Sequence, residues 1–338
     1  MANKNTQIVQ FGDLEVLKDN SQLVYSEELE KMVNKNAYLS IVTTNNCQCS
    51  CFYCINSHTD KALDLPLEKA LENIKKLKEK YDIKECVILG GEPLMYPRIV
   101  ELVSELKKMN LDKICLTTNG VGFFGKSGDQ TYIKNEWIFG LIDKGLTHIN
   151  ISKHTWDGFI TFPQLRELYK IFHSKGVMVR VNTNIWKNNH DVLSVCTMGD
   201  GTKIGKDKEL IPFMKELKDC CDTIRISNLI HKDSFSVNPV NNDETDKLIP
   251  SDYYYKKLFG EIIDYYGENV MCIENKSALG FVDYVLIPTK PAIIINRNID
   301  SKVSEQICEN EDSVINTFKC LVSGDISLSW NKNNIIKI

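Results

Sequence analysis

Short apolar runs alternate with amphipathic stretches through the middle of the chain. The runs are rich in β-branched residues and are bounded by polar residues or glycine, a pattern that predicts strands. The predicted strands are Tyr38–Thr43, Glu85–Leu89, Lys113–Thr117, His148–Ser152, Val177–Thr183 and Thr223–Leu229. Between them, apolar residues recur at helical spacing. The predicted helices follow Pro66, Pro97 and Pro212 and cover Phe162–His173.

Six strands alternating with helices predict a parallel sheet with right-handed crossovers. We therefore expect an α/β fold, a partial (β/α)6 TIM-type barrel over residues 37–235, preceded by a lead segment at 1–36. Such sheets bind their ligands at the carboxyl ends of the strands. The glycine-containing stretch Trp186–Lys206 is predicted to be a surface loop.

The alternating pattern stops after Leu229, where the chain becomes polar and rich in turn residues. Ser251 is a candidate N-cap of one further amphipathic helix. Strand-like runs follow at Tyr284–Ile287, Ala292–Ile295 and near Ile326–Trp330. We interpret residues 236–338 as a small α+β cap that packs on the barrel and shapes the substrate pocket.

Composition narrows the class of protein. The chain has 338 residues, 43% of them hydrophobic, and a net charge of −4, which gives no reason to expect nucleic acid or an anionic membrane as a partner. It contains no apolar run long enough for a membrane span and does not begin with a signal peptide pattern, so we expect a cytoplasmic protein. Twelve cysteines are many for a reducing compartment, where thiols more often bind metal than form disulfides.

Four of those cysteines lie within eight residues, in the segment Cys47-Gln-Cys49-Ser-Cys51-Phe-Tyr-Cys54 directly after the first predicted strand. Cys47, Cys51 and Cys54 have the spacing C-x3-C-x2-C, so three thiolates are available on a loop at the active end of the sheet. A [4Fe–4S] cluster normally has four cysteine ligands. With three ligands, one iron stays open for another molecule.

This motif resembles the signature of the radical S-adenosylmethionine (radical SAM) superfamily. The resemblance covers roughly residues 37–230, because Gly90-Gly91-Glu92-Pro93 follows the second strand like that family's GGEP motif and a Thr-Asn-Gly ends the third. It implies an enzyme that binds S-adenosylmethionine (SAM) at the open iron and cleaves it with one electron. The 5′-deoxyadenosyl radical then abstracts hydrogen from the substrate, with the chemistry carried by the cofactor.

The resemblance also implies which residues contact the cofactors. Cys47, Cys51 and Cys54 would hold the cluster. The residues implied to bind SAM are Tyr53, Gly90, Gly91, Glu92, Pro93, Thr118, Asn119, Ser152 and Asn182. Glu92 and its neighbouring backbone would accept hydrogen bonds from the cationic amine of SAM. No residue is assigned to the catalytic step itself.

Several further residues at the active end have two open interpretations. Lys153, His154, Trp156 and Asp157 follow the fourth strand and either form a solvated loop or face the substrate. Arg180 and Arg225 lie on the fifth and sixth strands. They either bind a phosphate or carboxylate of the substrate or form internal ion pairs.

Other uses of the cysteines are weighed against this interpretation. Zinc held by four thiolates, with Cys49 as the fourth, would not explain the GGEP motif. Cys49 is otherwise expected to have no role. A second cluster on Cys272, Cys308 and Cys320 is disfavoured because these residues lack compact spacing, and buried thiols are the default for them.

The reaction is the least determined property. The core resembles the GTP cyclase family of molybdenum-cofactor synthesis, but we find neither that family's three further cluster cysteines nor its C-terminal Gly-Gly, so we disfavour that activity. We expect a small nucleoside- or sugar-like substrate and an external flavodoxin- or ferredoxin-like electron donor. A peptide-modifying maturase and a non-catalytic iron–sulfur redox sensor are the alternatives. The fate of SAM and the oligomeric state stay open.

Overall fold

The computed structural model describes most of the core of the chain. The described residues are 6–11, 14–19, 23–26, 29, 31–51, 54, 63–127, 130–154, 159–185, 196–198, 203–204, 210–228, 271–276, 281–287, 291–298, 314–328 and 335–337. Tyr53, Trp156, Asp157, Cys308 and the helix predicted from Ser251 lie outside them.

Among the described residues, both ends of the chain form strands, and the α-helices lie between Leu67 and Leu217. The strands are β1 (Thr6–Phe11), β2 (Leu14–Asp19), β3 (Leu23–Ser26), β4 (Lys31–Val42), β5 (Cys49–Cys51), β6 (Glu85–Leu89), β7 (Lys113–Thr118), β8 (Phe124–Ser127), β9 (Gln130–Ile133), β10 (His148–Ser152), β11 (Met178–Ile185), β12 (Cys196–Met198), β13 (Lys203–Ile204), β14 (Thr223–Asn228), β15 (Met271–Lys276), β16 (Phe281–Ile287), β17 (Ala292–Asn298), β18 (Val314–Cys320) and β19 (Ile326–Ser327). The α-helices are α1 (Leu67–Tyr81), α2 (Ile99–Lys108), α3 (Asn135–Asp143), α4 (Phe162–Ser174) and α5 (Leu210–Leu217). Short 3-10 helices cover Pro93–Met95 and Val121–Phe123.

Six parallel strands form the centre of the large sheet in the order β4-β6-β7-β10-β11-β14, which is also their order along the chain. Consecutive order with helical crossovers is the winding of a (β/α) barrel. The two outer strands of this core each pair with a further strand, β4 with β18 and β14 with β17. The predicted α/β fold with a mainly parallel, partial barrel sheet is therefore confirmed.

The two faces of the six-stranded core differ in chemistry because neighbouring residues of a strand point to opposite faces. One face is apolar and packs in a single core with the helices; examples are Ile88, Leu116, Ile151 and Val181, each fully buried. The opposite face is here called the polar face. Its described positions include Ser40, Glu85, Lys113, Thr117, His148, Asn150, Ser152, Arg180, Asn182 and Arg225.

Local signals account for the helix boundaries. Thr161 and Gln164 form a reciprocal capping box at the start of α4, which satisfies backbone donors that the first turn leaves open. The helix ends before Gly176, whose φ of +77° is a left-handed conformation that glycine adopts without strain. In α1, Leu67, Ala70 and Ile74 recur on one face and are buried against the sheet.

The chain termini extend the sheet, which the apolar pattern did not predict. The lead segment contains β1, β2 and β3, and β4 begins at Lys31 rather than at the predicted Tyr38. Near the other terminus, β18 lies parallel to β4. The turn after β18 is held to α1 by an ion pair of 2.7 Å between Lys69 and Asp325.

The stretch predicted as a surface loop, Trp186–Lys206, contains two strands instead. β12 pairs with β13 and also, antiparallel, with the cysteine-bearing strand β5. The prediction failed because this pairing partner lies far away in sequence. The rest of the stretch and the proposed domain boundary between 235 and 236 stay predictions. Among the helices that the structure describes, none is long and apolar enough to cross a membrane.

The apolar side of the sheet predicts a stability difference. Replacing Ile149, which is fully buried at the centre of the sheet, with alanine should lower the free energy of unfolding by about 2–5 kcal/mol because it leaves a cavity. The control, Met178→Ala, changes a side chain that is 45% exposed and should cost less than about 0.5 kcal/mol. Denaturant unfolding measures both, and equal losses would contradict the assigned faces.

Candidate functional site at the carboxyl ends of the strands

The cysteine loop leaves and rejoins the sheet at the end of β4. The backbone of Thr43 accepts a hydrogen bond from Leu65 N at 2.8 Å, and Asn45 N donates to Leu63 O at 2.9 Å. The Thr44 hydroxyl donates to the carboxylate of Asp64 across this neck. Both ends of the loop are thus fixed beside the strand end, where parallel sheets bind ligands.

The four cysteines of the loop pack together with one aromatic residue. Cys49 and Cys51 are buried, and Cys47, Cys54 and Phe159 pack against them. Cys54 N donates to Cys51 O at 3.1 Å, which turns the loop back on itself. The backbone of β5 is further held by β12.

The two glycines of the GGEP segment allow its backbone to lie directly against the cysteine loop. Gly91 N donates to Thr44 O at 2.6 Å, and Glu92 N donates to Asn46 O at 2.7 Å. A Cβ atom at Gly91 would lie 2.3 Å from Asn46 O, and one at Gly90, whose φ is +154°, would lie 2.6 Å from Thr44 O. Only glycine fits both positions, so the motif here has a steric cause.

Glu92 is buried and accepts three hydrogen bonds from its own chain. Oε1 accepts from Leu94 N at 3.1 Å and from the Thr118 hydroxyl at 2.5 Å, and Oε2 accepts from Asn119 N at 2.8 Å. Burial raises the pKa of this carboxyl group, while the three donors favour its ionised form. The side chain therefore joins the second strand end to the third. Its contact with SAM stays a prediction. The geometry is compatible with that contact, because Oε2 accepts one hydrogen bond from Asn119 N and has room for one further donor.

Asn119 extends this network to the cysteine loop. Its Oδ1 accepts from Gln48 Nε2 at 3.1 Å, and its Nδ2 donates to Cys49 Sγ at 3.7 Å. Sequence reasoning missed Gln48 and gave Cys49 no role. Both residues lie within the cysteine motif, but their contact with Asn119 is a long-range one that no local pattern signals.

On the other side of the site, three residues share one row across neighbouring strands of the polar face. Ser152 on β10 is in register with Asn182 on β11, and Asn182 is in register with Arg225 on β14. Oδ1 of Asn182 is buried without a hydrogen-bond partner among the described residues. The predicted SAM residues Ser152 and Asn182 are thus brought together, and a buried acceptor is available beside them.

The two residues after β10 point to different environments. Nζ of Lys153 lies 4.8 Å from the centre of the Phe162 ring on the helical side. His154 Nδ1 accepts a hydrogen bond from Asn184 N at 2.9 Å, and its ring meets Phe159 edge-to-face at 5.9 Å. Burial, assisted by the charge of Lys153, lowers the pKa of His154 to about 3, so the ring is neutral with its proton on Nε2.

The remaining cysteines behave as core residues where the structure describes them. Cys320 is fully buried on β18, and burial raises its pKa to about 12. Cys86 and Cys221 are buried, and burial raises their pKa values as well. Burial therefore favours the protonated form of these thiols, and the buried position of Cys320 agrees with the default expected for it.

The chemistry of the cysteine loop fits an iron–sulfur cluster with one open iron. Within the described part of the chain, no three His, Cys, Asp or Glu side chains are placed to hold a single metal ion. Because ligand side chains rarely take their final positions without the metal, the types of donor atom available decide whether a cluster fits. Three thiols on one loop match three irons. The buried Oε1 of Gln48 and Oδ1 of Asn182 have no hydrogen-bond partner among the described residues, and such acceptors suit the amine or hydroxyl groups of a bound cofactor.

Comparison with known proteins agrees with this geometry. The family described as Radical SAM superfamily matches residues 41–202. The GTP 3′,8-cyclase of Clostridium perfringens is 30% identical over 178 residues, which cover 48% of this chain and 51% of that protein. A probable GTP 3′,8-cyclase of Methanocaldococcus jannaschii is 30% identical over 150 residues, 44% of each chain. This chain therefore spans about half the length of the curated relatives it matches.

Solved structures share the fold over a larger part of the chain. The crystal structure of Streptococcus suis SuiB bound to S-adenosylmethionine superposes with a TM-score of 0.52, covering 87% of this chain and 60% of that one. Sequence identity is 14%, so this likeness concerns the fold alone.

The close approach of Gly91 to Asn46 predicts a strong effect of one methyl group. Gly91→Ala should displace the cysteine loop and reduce the iron bound after anaerobic reconstitution at least several-fold, because the clash is with backbone. Gly140→Ala on α3 is the matched control, since no atom lies within 4 Å of its added Cβ. It should bind iron normally and gain up to about 1 kcal/mol of stability. Normal iron content in Gly91→Ala would contradict the assigned contact.

Neutral His154 predicts a pH dependence of stability. Its folded pKa lies below the ordinary value of about 6.5, so protonation favours the unfolded chain as pH falls below that value. Compared with His154→Gln, the wild-type protein should lose about 2 kcal/mol of unfolding free energy between pH 7 and pH 5. His148, which is present in both proteins, cancels in this difference. Parallel stability curves would show that His154 is not buried neutral.

Proposed function

We propose, because residues 41–202 of this chain are a radical SAM domain, that the protein is an enzyme that cleaves S-adenosylmethionine reductively and acts on a small polar substrate. The family and the fold expected from the cysteine motif are confirmed by the comparisons. The cofactors, the substrate and the site residues are the proposed part.

Cys47, Cys51 and Cys54 would hold a [4Fe–4S] cluster and leave one iron for SAM. When bound, such a cluster would supply the electron for the reductive cleavage of SAM, which would allow hydrogen abstraction from the substrate. The remaining tasks fall to the chain itself, which has to position the cofactor and exclude water from the radical.

One observation carries the proposal: three strand-end loops form a single hydrogen-bonded unit. The cysteine loop follows β4, the GGEP segment follows β6, and Thr118-Asn119 end β7. Glu92 links the second loop to the third, and Asn119 links the third to the first. A structural zinc site would require only the cysteines and gives no reason for this network.

The same unit explains how the chain would orient SAM. The backbone around Gly90 and Gly91 has no side chain that keeps a ligand away. Ser152 ends β10, and Asn182 lies in register with it on the neighbouring β11; they offer a hydroxyl group and a buried amide oxygen. We assign the SAM contacts to these residues together with Pro93, Thr118 and Asn119, and to Tyr53, which lies outside the described residues.

The polar face supports a small polar substrate. It offers hydroxyl, amide and charged groups, among them Asn150, whose Nδ2 donates to the Thr117 hydroxyl at 2.9 Å. Residues of this kind bind the polar groups of metabolites through directed hydrogen bonds. A nucleoside- or sugar-like molecule fits these groups. A peptide substrate has no comparable support here, because the likeness to SuiB concerns only the fold.

Two requirements follow for the assay. The cluster needs an external one-electron donor, for which flavodoxin, ferredoxin or dithionite serves. Oxygen must be absent, because exposed iron–sulfur clusters are oxidised by it.

The cluster assignment is tested by single cysteine replacements. Wild-type protein, reconstituted with iron and sulfide and reduced with dithionite, should release 5′-deoxyadenosine from SAM. Cys51→Ala should reduce this release by at least a hundredfold, because the loss of a ligand removes the site-differentiated cluster. The product is quantified by liquid chromatography with mass spectrometry.

Cys49→Ala is the matched control on the same loop. It should retain cluster and cleavage within a few-fold, since its thiol, which contacts Asn119, is not one of the three proposed ligands. Unchanged cleavage in Cys51→Ala would overturn the ligand assignment. A cluster that forms but never cleaves SAM in the wild type would favour the redox-sensing alternative instead.

A further inference from the structure

We propose that Cys51 and Cys196 form a reversible disulfide bond when the cysteine loop holds no cluster, and that this bond protects Cys51 from irreversible oxidation. The inference rests on the proposed function for the role of Cys51 as a cluster ligand. It adds a modification site and a redox control to the same loop.

Strand pairing brings a cysteine from a distant part of the chain to the cluster motif. β12 runs antiparallel to β5, with Cys196 in register with Cys51. Directly opposed residues of an antiparallel pair have Cα atoms about 4.5 or 5.5 Å apart, depending on the hydrogen-bonding pattern of the pair. A disulfide bond spans Cα separations of about 4.4–6.8 Å. The backbone therefore holds these two cysteines at a separation that one disulfide bond bridges.

The ribbon formed by β5 and β12 carries its sulfur-containing residues on one face. Cys49 and Cys51 are two residues apart on β5, and their register partners on β12 are Met198 and Cys196. A step of two residues stays on one face of a strand, and directly opposed residues share that face. Cys51 is thus opposed by a cysteine, whereas Cys49 is opposed by a methionine, which forms no disulfide bond.

The position of β12 does not depend on the cysteine loop alone. β12 is the central strand of a three-stranded sheet and pairs with β13 along its other edge. The strand ladder therefore fixes the separation of Cys196 from Cys51 before any bond forms, which lowers the ordering cost of closing the disulfide.

Cys54 is the competing partner for Cys51. Its backbone N–H donates to Cys51 O at 3.1 Å, so the two residues lie within one turn of the loop. A bond between them would close that single turn, whereas a bond to Cys196 joins two strands that are already paired. We assign the disulfide to Cys196 for this reason, and the experiment distinguishes the two partners.

The chemistry of thiols gives the bond its purpose. A ligand thiol without iron is oxidised stepwise to sulfenic, sulfinic and sulfonic acid, and thiol reductants do not reverse the last two stages. A disulfide, in contrast, returns to two thiols by thiol exchange. Because Cys51 is one of three proposed ligands, its irreversible oxidation would prevent reassembly of the cluster. Pairing with Cys196 stops the oxidation at a reversible stage.

Hydrogen peroxide is the oxidant in the proposed step. The Cys51 thiol and one peroxide molecule give the sulfenic acid and one water. The Cys196 sulfur then attacks the Cys51 sulfur, the sulfur–sulfur bond forms, and the hydroxyl group leaves with the Cys196 proton as a second water. The two cysteines lose two electrons, and peroxide takes them up. A dithiol reductant later returns two electrons and two protons and restores both thiols.

The test uses the whole chain, freed of iron with a chelator and treated with hydrogen peroxide. The protein is alkylated and digested with chymotrypsin, which cleaves after Phe52 and Tyr53 and so separates Cys51 from Cys54. Mass spectrometry should identify a Cys51–Cys196 link as the main intramolecular product. Wild-type protein reconstituted with iron and sulfide before the treatment should contain severalfold less of it, because a sulfur bonded to iron is not available.

Replacing Cys196 tests the protective role. After peroxide, dithiothreitol and anaerobic reconstitution, the wild type should recover most of its iron. Cys196→Ser should recover severalfold less and should carry sulfinic or sulfonic acid at Cys51. Cys196→Ala repeats the measurement in case serine disturbs β12. Cys49→Ala is the matched control on the ribbon, because its register partner is Met198, and it should form the Cys51–Cys196 link like the wild type.

Electron paramagnetic resonance separates this role from that of a fourth cluster ligand. Without peroxide, the reduced cluster of Cys196→Ser should give the wild-type signal. An altered signal would assign Cys196 to the cluster and overturn the disulfide proposal. The proposal is also overturned if the wild type forms no Cys51–Cys196 link, if its main link is Cys51–Cys54, or if iron recovery is equal in the wild type and both Cys196 variants.

Failure of the disulfide proposal and failure of the proposed function give different results. The first leaves 5′-deoxyadenosine release by the reconstituted wild type intact. The second abolishes that release, whereas the Cys51–Cys196 link is measured on the iron-free chain without SAM.

Discussion

The site depends on one buried carboxylate. Glu92 has almost no solvent contact, and an ionised carboxylate in such a place is costly unless hydrogen bonds replace its water. Its donors come from Leu94, the Thr118 hydroxyl and the backbone of Asn119, two loops that are far apart in sequence. Because each donor has a narrow geometric range, satisfying Glu92 sets the position of both loops relative to each other. The cysteine loop is then positioned through Asn119 and Gln48.

Steric exclusion adds the second constraint on the same loops. Hydrogen bonds from Gly91 N and Glu92 N hold the GGEP backbone against residues 44–46 at distances that no side chain tolerates. The hydrogen bonds of the Glu92 side chain and the close contacts of the two glycines therefore both fix the position of the same short segment. Together they explain why the four-residue motif combines two glycines with a glutamate: the glycines permit the approach, and the glutamate anchors the result.

The strands and helices that could be predicted from the sequence are those that a local residue pattern determines. Apart from the start of β4, the six central strands and four of the five described α-helices were located within a few residues, because burial on one or two faces leaves a periodic trace in each segment. The helix α3 and the strands β1, β2, β15 and β18 were missed. For the strands, partners distant in the chain decide whether a short run becomes a strand. The pairing of β12 with the cysteine strand failed for the same reason.

The residues of the candidate site likewise divide into those that the sequence predicts and those whose role depends on distant contacts. The cysteine motif, the glycines and Ser152 at the end of its strand could be placed from the sequence, because motif and strand order fix them together. Asn182 was expected on the fifth strand, and β11 continues past it to Ile185. The internal role of Glu92, and the roles of Gln48 and Cys49, depend on contacts between loops and leave no trace in local spacing. A sequence motif therefore shows which residues belong to the site, but it does not show which contacts each side chain makes.

Ser152 at the end of β10 and the two residues that follow it make contacts on both sides of the sheet. Ser152 lies on the polar face, and Lys153 turns to Phe162 on the helical side. The His154 ring contacts Phe159, which itself packs against Cys49 and Cys51. If the buried side chains of Lys153 and His154 were both positively charged, their repulsion would destabilise the fold. Here the charge of Lys153 helps to keep His154 neutral, and the hydrogen bond from Asn184 N holds its tautomer. The hydrogen bond from Asn184 N and the contact with Phe159 therefore hold a neutral imidazole beside the aromatic residue that packs against the cysteines.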